Sequence, residues 1–174
     1  SSAADVKRLG LAARSLARAA ESDPTRSWTW IHLGDGADQI REELGDVPSN
    51  LTTELPGPVP RIEVFRCHRD RRPDAFVNLS SSEGVPLTIM EAMSMGTPVV
   101  ATAAGGTGEI VDSDVGALLP VDIDCATAAA SIRRVVDDSE LFRTAAIKRW
   151  QTAASAKVAE SVLEVVIPEL MSDR

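Results

Sequence analysis

Hydrophobic positions along this chain follow two periods in turn, and the alternation predicts helices interleaved with strands. Residues 6–20 carry Leu9, Leu11, Leu16 and several alanines at helical spacing, which predicts a first helix closed by the turn Ser22-Asp23-Pro24. Residues 28–33 alternate and are aromatic or β-branched at several positions, so they read as a strand, stopped by Gly34-Asp35-Gly36. A short helix ending near Leu44 comes next. Residues 51–55 form a short strand ended by Pro56-Gly57-Pro58, and residues 61–69 a helix.

The middle of the chain is sharper. Residues 75–79 read as a buried strand, 86–95 as a helix started by Pro86 and ended by Gly96, and 98–102 as the next strand. Strand, helix and strand so closely spaced make a βαβ unit, whose crossover is right-handed in nearly all cases. A last short strand is expected at 116–119, then helices at 125–136, 139–153 and 157–171, the last carrying Pro168. The pattern as a whole predicts an α/β fold: a Rossmann-like parallel sheet with helices on both faces, built as one domain over residues 1–174.

Composition narrows the field. The 174 residues are 44% hydrophobic and 25% charged, enough apolar material for a core without covalent staples. No apolar run approaches the ~20 residues that span a bilayer, and no export signal is evident, so a cytoplasmic protein is expected. The formal charge of −8 argues against a nucleic-acid partner, which requires a Lys/Arg surface. Cys67 and Cys125 form no C-x-x-C, and His32 and His68 stand apart, so neither a disulfide framework nor a metal site can be drawn. The basic cluster Arg61, Arg66, Arg69, Arg71 and Arg72 reads first as a solvated helix face. Its second reading is a peripheral contact with an anionic membrane or acceptor.

Chemistry concentrates in residues 80–93. Here a loop joins the carboxyl end of one strand to the amino end of the next helix, where open α/β sheets bind ligands. The free N–H groups near Leu87 and Thr88, with the helix dipole, form a receptor for an anion such as phosphate, and Gly84 has no side chain to hold that anion off. Glu83 would repel a phosphate and should face hydrogen-bond donors instead, for which sugar hydroxyls are suited. Glu91 stands one helical turn beyond Leu87, about 6 Å along the axis, and can accept from the two hydroxyls of a ribose. A phosphate receptor between two carboxylates fits a sugar nucleotide. The competing reading makes Glu83 a favourable charge at a helix start and Glu91 a solvated helix residue.

Glu83 and Glu91 also form the E-x7-E pattern of retaining glycosyltransferases of the two-domain GT-B fold, in particular family 4, and the chain resembles that family over nearly its whole length. The flanking runs Asp74-Ala75-Phe76-Val77-Asn78-Leu79-Ser80 and Glu91-Ala92-Met93-Ser94-Met95-Gly96-Thr97-Pro98-Val99-Val100-Ala101-Thr102 fit it. So do Gly105-Gly106-Thr107-Gly108-Glu109 and, upstream, Trp30-Ile31-His32-Leu33-Gly34-Asp35-Gly36.

The resemblance implies roles by position. Glu83 would face the donor sugar and Glu91 the ribose. The backbone of Gly84, Val85, Pro86, Leu87 and Thr88 would hold the diphosphate, and Lys7 would neutralise it, helped by Arg8. The family's partner arginine, about five residues before that lysine, is Ser2 here. Gly57 matches a glycine near the base. Gly34 stands in a loop at the same sheet edge, where a tight turn is its first reading and a donor-side contact its second. Gly105 and Gly106 resemble the family's loop near the donor, with a simple turn as the equal alternative.

The implied donor is a UDP-, GDP- or ADP-sugar, with no separate cofactor and no metal. The acceptor would be a carbohydrate or lipid-linked glycan of the kind used in bacterial polysaccharide synthesis, placing the enzyme in the cytoplasm or at the inner membrane face. The resemblance also implies an N-terminal acceptor domain, so these residues are expected to form the donor-binding half alone and to transfer little sugar by themselves. A non-catalytic sugar-nucleotide-binding module is the alternative.

Overall fold

A computed structural model describes residues 6–153. In order, the elements are α1 (Leu9–Glu21), β1 (Trp28–Ile31), α2 (Ala37–Leu44), β2 (Leu51–Glu54), α3 (Arg61–Arg71), β3 (Phe76–Asn78), α4 (Leu87–Ser94) and β4 (Val99–Thr102). A 3-10 turn at Gly105–Glu109, β5 (Gly116–Leu119), α5 (Cys125–Asp137) and α6 (Ser139–Ala153) complete the described chain. The alternation predicted from periodicity is present throughout. The helix expected at residues 157–171 lies outside the described residues.

Every strand pairing is parallel, but among the described residues the strands form two ladders. β1 pairs with β2, and β4 lies between β3 and β5. One hydrophobic core crosses both ladders: Trp28 and Leu51 from the first join Leu79, Val100, Ala117 and Leu119 from the second, beneath α1 and α5. The opposite face of β4 turns Val99 and Ala101 toward Ile89, Met90 and Met93 of α4 and Ala146 of α6. Side chains of successive strand residues point to opposite faces, so this split of β4 shows helices on both sides. All four of its residues are buried.

Two local features position the loops at the sheet edge. The first helix begins at Leu9, later than the apolar pattern suggests, because Arg8 adopts the left-handed conformation (φ 48°). That conformation costs a non-glycine residue about 1–2 kcal/mol, and here hydrogen bonds from its guanidinium offset the strain. α4 is short, with no side-chain cap, and would be marginal alone. Burial of Ile89, Met90, Ala92 and Met93 holds it in place, each large side chain contributing about 1.5–3 kcal/mol. Only tertiary packing makes this segment a helix with a defined amino end.

Candidate functional site

Because the strands within each ladder run parallel, the loops after β1 and β2 share one edge of the first ladder, and those after β3 and β4 share one edge of the second. The β3–α4 and β4–turn loops are in direct contact. A Cβ built on Gly105 would lie 1.7 Å from the carbonyl oxygen of Glu83, and one on Gly106 would lie 3.2 Å from that of Gly84. Gly105 also has φ +54°, so the position demands glycine twice over. The Thr102 hydroxyl donates to the carbonyl of Ser80, adding a second tie between these loops.

The entry to α1 is fastened to the same edge. The Ser81 N–H donates to the carbonyl of Val6 at 2.8 Å, and Arg8 donates to the carbonyls of Leu79, Val121 and Ser80 at 2.5, 2.6 and 3.2 Å. Arg8 is therefore committed to backbone oxygens at the sheet edge, which corrects its expected role as a helper in neutralising phosphate. Lys7, between Val6 and Arg8, is exposed and carried alongside the β3–α4 loop by these bonds.

Glu83 is half-buried, and Asn78 at the end of β3 donates from Nδ2 to its Oε1 at 2.9 Å. The other end of the Asn78 amide accepts from the Ser80 N–H at 3.0 Å, so both ends of the side chain are used. After Glu83 the loop opens. Gly84 is exposed with nothing within 4 Å of its missing side chain, and Val85 and Leu87 are 66% and 46% exposed.

The first turn of α4 refines the expected anion receptor. The Leu87 N–H donates to the Val85 carbonyl at 2.8 Å, so it is engaged inside the loop. The Met90 N–H closes the first helical bond onto Pro86 at 3.1 Å. Thr88 and Ile89 are left as the first-turn N–H groups without an intrahelical carbonyl. Pro86, buried at the cap, contributes no N–H.

Glu91 is 8% exposed, and Arg61 at the start of α3 donates from Nη2 to its Oε1 at 2.6 Å. The solvated alternative for Glu91 is thereby overturned: burial of the inner face of α4 takes the carboxylate with it, and a guanidinium compensates. The rest of the basic cluster is likewise engaged by carboxylates, Arg66 with Glu63, Arg69 with Asp70, Arg71 with Glu54 and Arg72 with Glu140. Its charge is largely neutralised locally.

Gly36 (φ +97°) precedes α2, and a Cβ there would meet Leu9 at 2.3 Å, so the loop containing Gly34 is a tight turn packed on α1. Gly34 lies beside the His32 ring, and Gly57 (φ +85°) has open space around it. Neither touches the Glu83 loop through its missing side chain. Asn78, Arg61 and the Gly105 contact escaped the sequence reading, since no spacing rule links residues brought together across different loops.

Among the described residues no three His, Cys, Asp or Glu side chains are grouped to hold a metal ion, and no helix is long and apolar enough to cross a membrane.

A parallel α/β fold with a helix amino terminus between two glutamates is the architecture of a Rossmann-like ligand-binding domain of the GT-B kind. Residues 2–138 match the family description "Glycosyl transferases group 1", and the chain belongs to that family of glycosyl-transferring enzymes. It is 26% identical over 135 residues to the amylovoran biosynthesis glycosyltransferase AmsK of Erwinia amylovora, covering 75% of this chain and 33% of that protein. It is 33% identical over 114 residues to the sulfoquinovosyl transferase SQD2 of Arabidopsis thaliana, covering 62% of this chain and 21% of that one. The chain thus spans a third or less of either relative. In fold it is similar to the pneumococcal O-GlcNAc transferase GtfA, solved in complex with UDP and GlcNAc, with TM-score 0.68 and 19% identity over 94% of this chain and 33% of that one.

Proposed function

We propose that this chain is the donor-binding part of a retaining, family 4 glycosyltransferase, and that it takes a nucleoside-diphosphate sugar at the amino end of α4. The observation that carries the reading is the order along that helix. Glu83, held by Asn78, precedes the Thr88 and Ile89 N–H groups, and Glu91 comes one turn later. A sugar, a diphosphate and a ribose present donors, negative charge and donors in the same sequence. The UDP and GlcNAc bound by the structurally similar GtfA support this choice of ligand.

In this reading the chemistry is electrostatic. As the bond from sugar to diphosphate breaks, negative charge grows on the leaving group, and the first turn of α4 and Lys7 stabilise it, where preorganised dipoles contribute most. Glu83 orients the sugar, and Gly84 lets the diphosphate approach the backbone. The sugar nucleotide is the substrate, with no separate cofactor. The acceptor, a carbohydrate or lipid-linked glycan, would be held by a further domain, and the reaction would occur in the cytoplasm or at the inner membrane face.

Calorimetric titration of the 174-residue chain with UDP, GDP and ADP and their common hexose derivatives tests the proposal. One base series should bind, Glu91→Ala should weaken the nucleotide, and Glu83→Gln should weaken the sugar form selectively. Binding by none of the three series would sink the reading, and robust sugar transfer by this chain alone would contradict its division of labour.

A further inference from the structure

The ion pair between Arg61 and Glu91 joins elements that the sequence separates widely. Arg61 opens α3 just after the loop that leaves β2, whereas Glu91 sits in α4 of the other ladder. The carboxylate is nearly buried, and the guanidinium is itself constrained, lying 5.9 Å from the ring centroid of the fully buried Phe65. A guanidinium held from a second side by an aromatic ring has little freedom to swing away.

From this geometry we infer that Arg61 is a positioning residue for nucleotide recognition. It fixes the Glu91 carboxylate through Oε1 so that Oε2 is presented, in one orientation, to the hydroxyls of the ribose. The inference rests on the proposed reading of Glu91 as the ribose acceptor and adds a specific device to it. A carboxylate free to rotate would have to be ordered when ligand binds, whereas one already locked has that cost removed in advance. The arrangement also means that the cation near Glu91 does not compete for the diphosphate. Its charge is spent on the carboxylate, and phosphate attraction is left to Lys7 and α4.

The inference predicts a selective effect. Removing Arg61 should lower affinity only insofar as the ligand has a ribose diol to offer. The experiment measures binding of the best of UDP, GDP and ADP, and of its 2′,3′-dideoxy counterpart, to the wild-type chain and to Arg61→Ala and Arg61→Lys, with unfolding midpoints recorded alongside. Arg61→Ala should weaken the ribonucleotide about tenfold and the dideoxy form less than about twofold, collapsing the discrimination between them. Arg61→Lys, which keeps the charge and covers the case in which the alanine variant does not fold, should lose part of that discrimination at an unchanged midpoint. Equal weakening of both ligands, no change in either, or tighter binding by the variants would overturn the inference. Failure of the wild-type chain to bind any of the three nucleotides would instead overturn the functional reading beneath it.

Discussion

Gly105 and Glu83 are in backbone contact: the space where a side chain on Gly105 would begin is occupied by the Glu83 carbonyl oxygen, 1.7 Å away. The glycine at the end of one strand thereby sets the path of the loop that carries the first glutamate. Gly105→Ala must push that loop aside and hold alanine at φ +54°. A loss of about 2 kcal/mol or more of stability is expected, from left-handed strain plus overpacking. Gly84→Ala meets open space and should leave the denaturation midpoint near the wild-type value. A wild-type midpoint for Gly105→Ala would show that the loops are not coupled in this way.

Asn78 holds Glu83 from below by a single hydrogen bond. Asn78→Leu, close in size, removes the donor and should change stability by no more than about 1 kcal/mol. Its effect should appear in ligand preference instead. The sugar nucleotide is expected to lose its advantage over the bare nucleotide several-fold, read by paired calorimetric titrations, and an unchanged ratio would place Glu83 outside sugar recognition.

Arg8 and Lys7 are adjacent and should respond oppositely. Arg8 bonds three backbone carbonyls, so Arg8→Ala should destabilise the fold by about 2 kcal/mol, read by chemical denaturation. Exposed Lys7 touches no such network, and Lys7→Ala should leave the midpoint unchanged while weakening nucleoside-diphosphate binding several-fold. Added salt should narrow that difference, because screening weakens exposed charge interactions. A large stability loss from Lys7→Ala would assign it to structure.

His68 is buried beside Phe76, with Nδ1 2.8 Å from the Thr97 hydroxyl, and burial pushes its pKa down to about 4. An unfolded histidine titrates near 6.5, so between the two values the unfolded chain binds more protons than the folded one. Stability from this group is therefore full above about pH 6.5, falls as pH drops through that range and is lost by about pH 4, amounting to about 3 kcal/mol in all. His68→Gln should flatten the pH dependence over this interval relative to wild type. Identical slopes for the two proteins would show that the folded imidazole protonates normally.

Local chemistry determined a large part of this protein. The 3.6- and 2-residue periods specify which segments are helices and which are strands, because each must bury one face, and Pro86 with Gly96 brackets α4 as residue chemistry alone requires. The E-x7-E segment placed two carboxylates around a helix start by spacing alone. What tertiary structure decided lies across loops. It paired Arg61 with Glu91, turned Arg8 away from solvent onto three carbonyls, fitted Gly105 against Glu83 and kept β1 and β2 in a ladder apart from the other three strands. None of these can be read from a period or a motif, because each depends on which side chains burial brings within a few ångströms of one another. Glu91 is the clearest case: spacing marks it as a binding residue, but the packing of α4 decides that it is buried, and burial is why it requires Arg61.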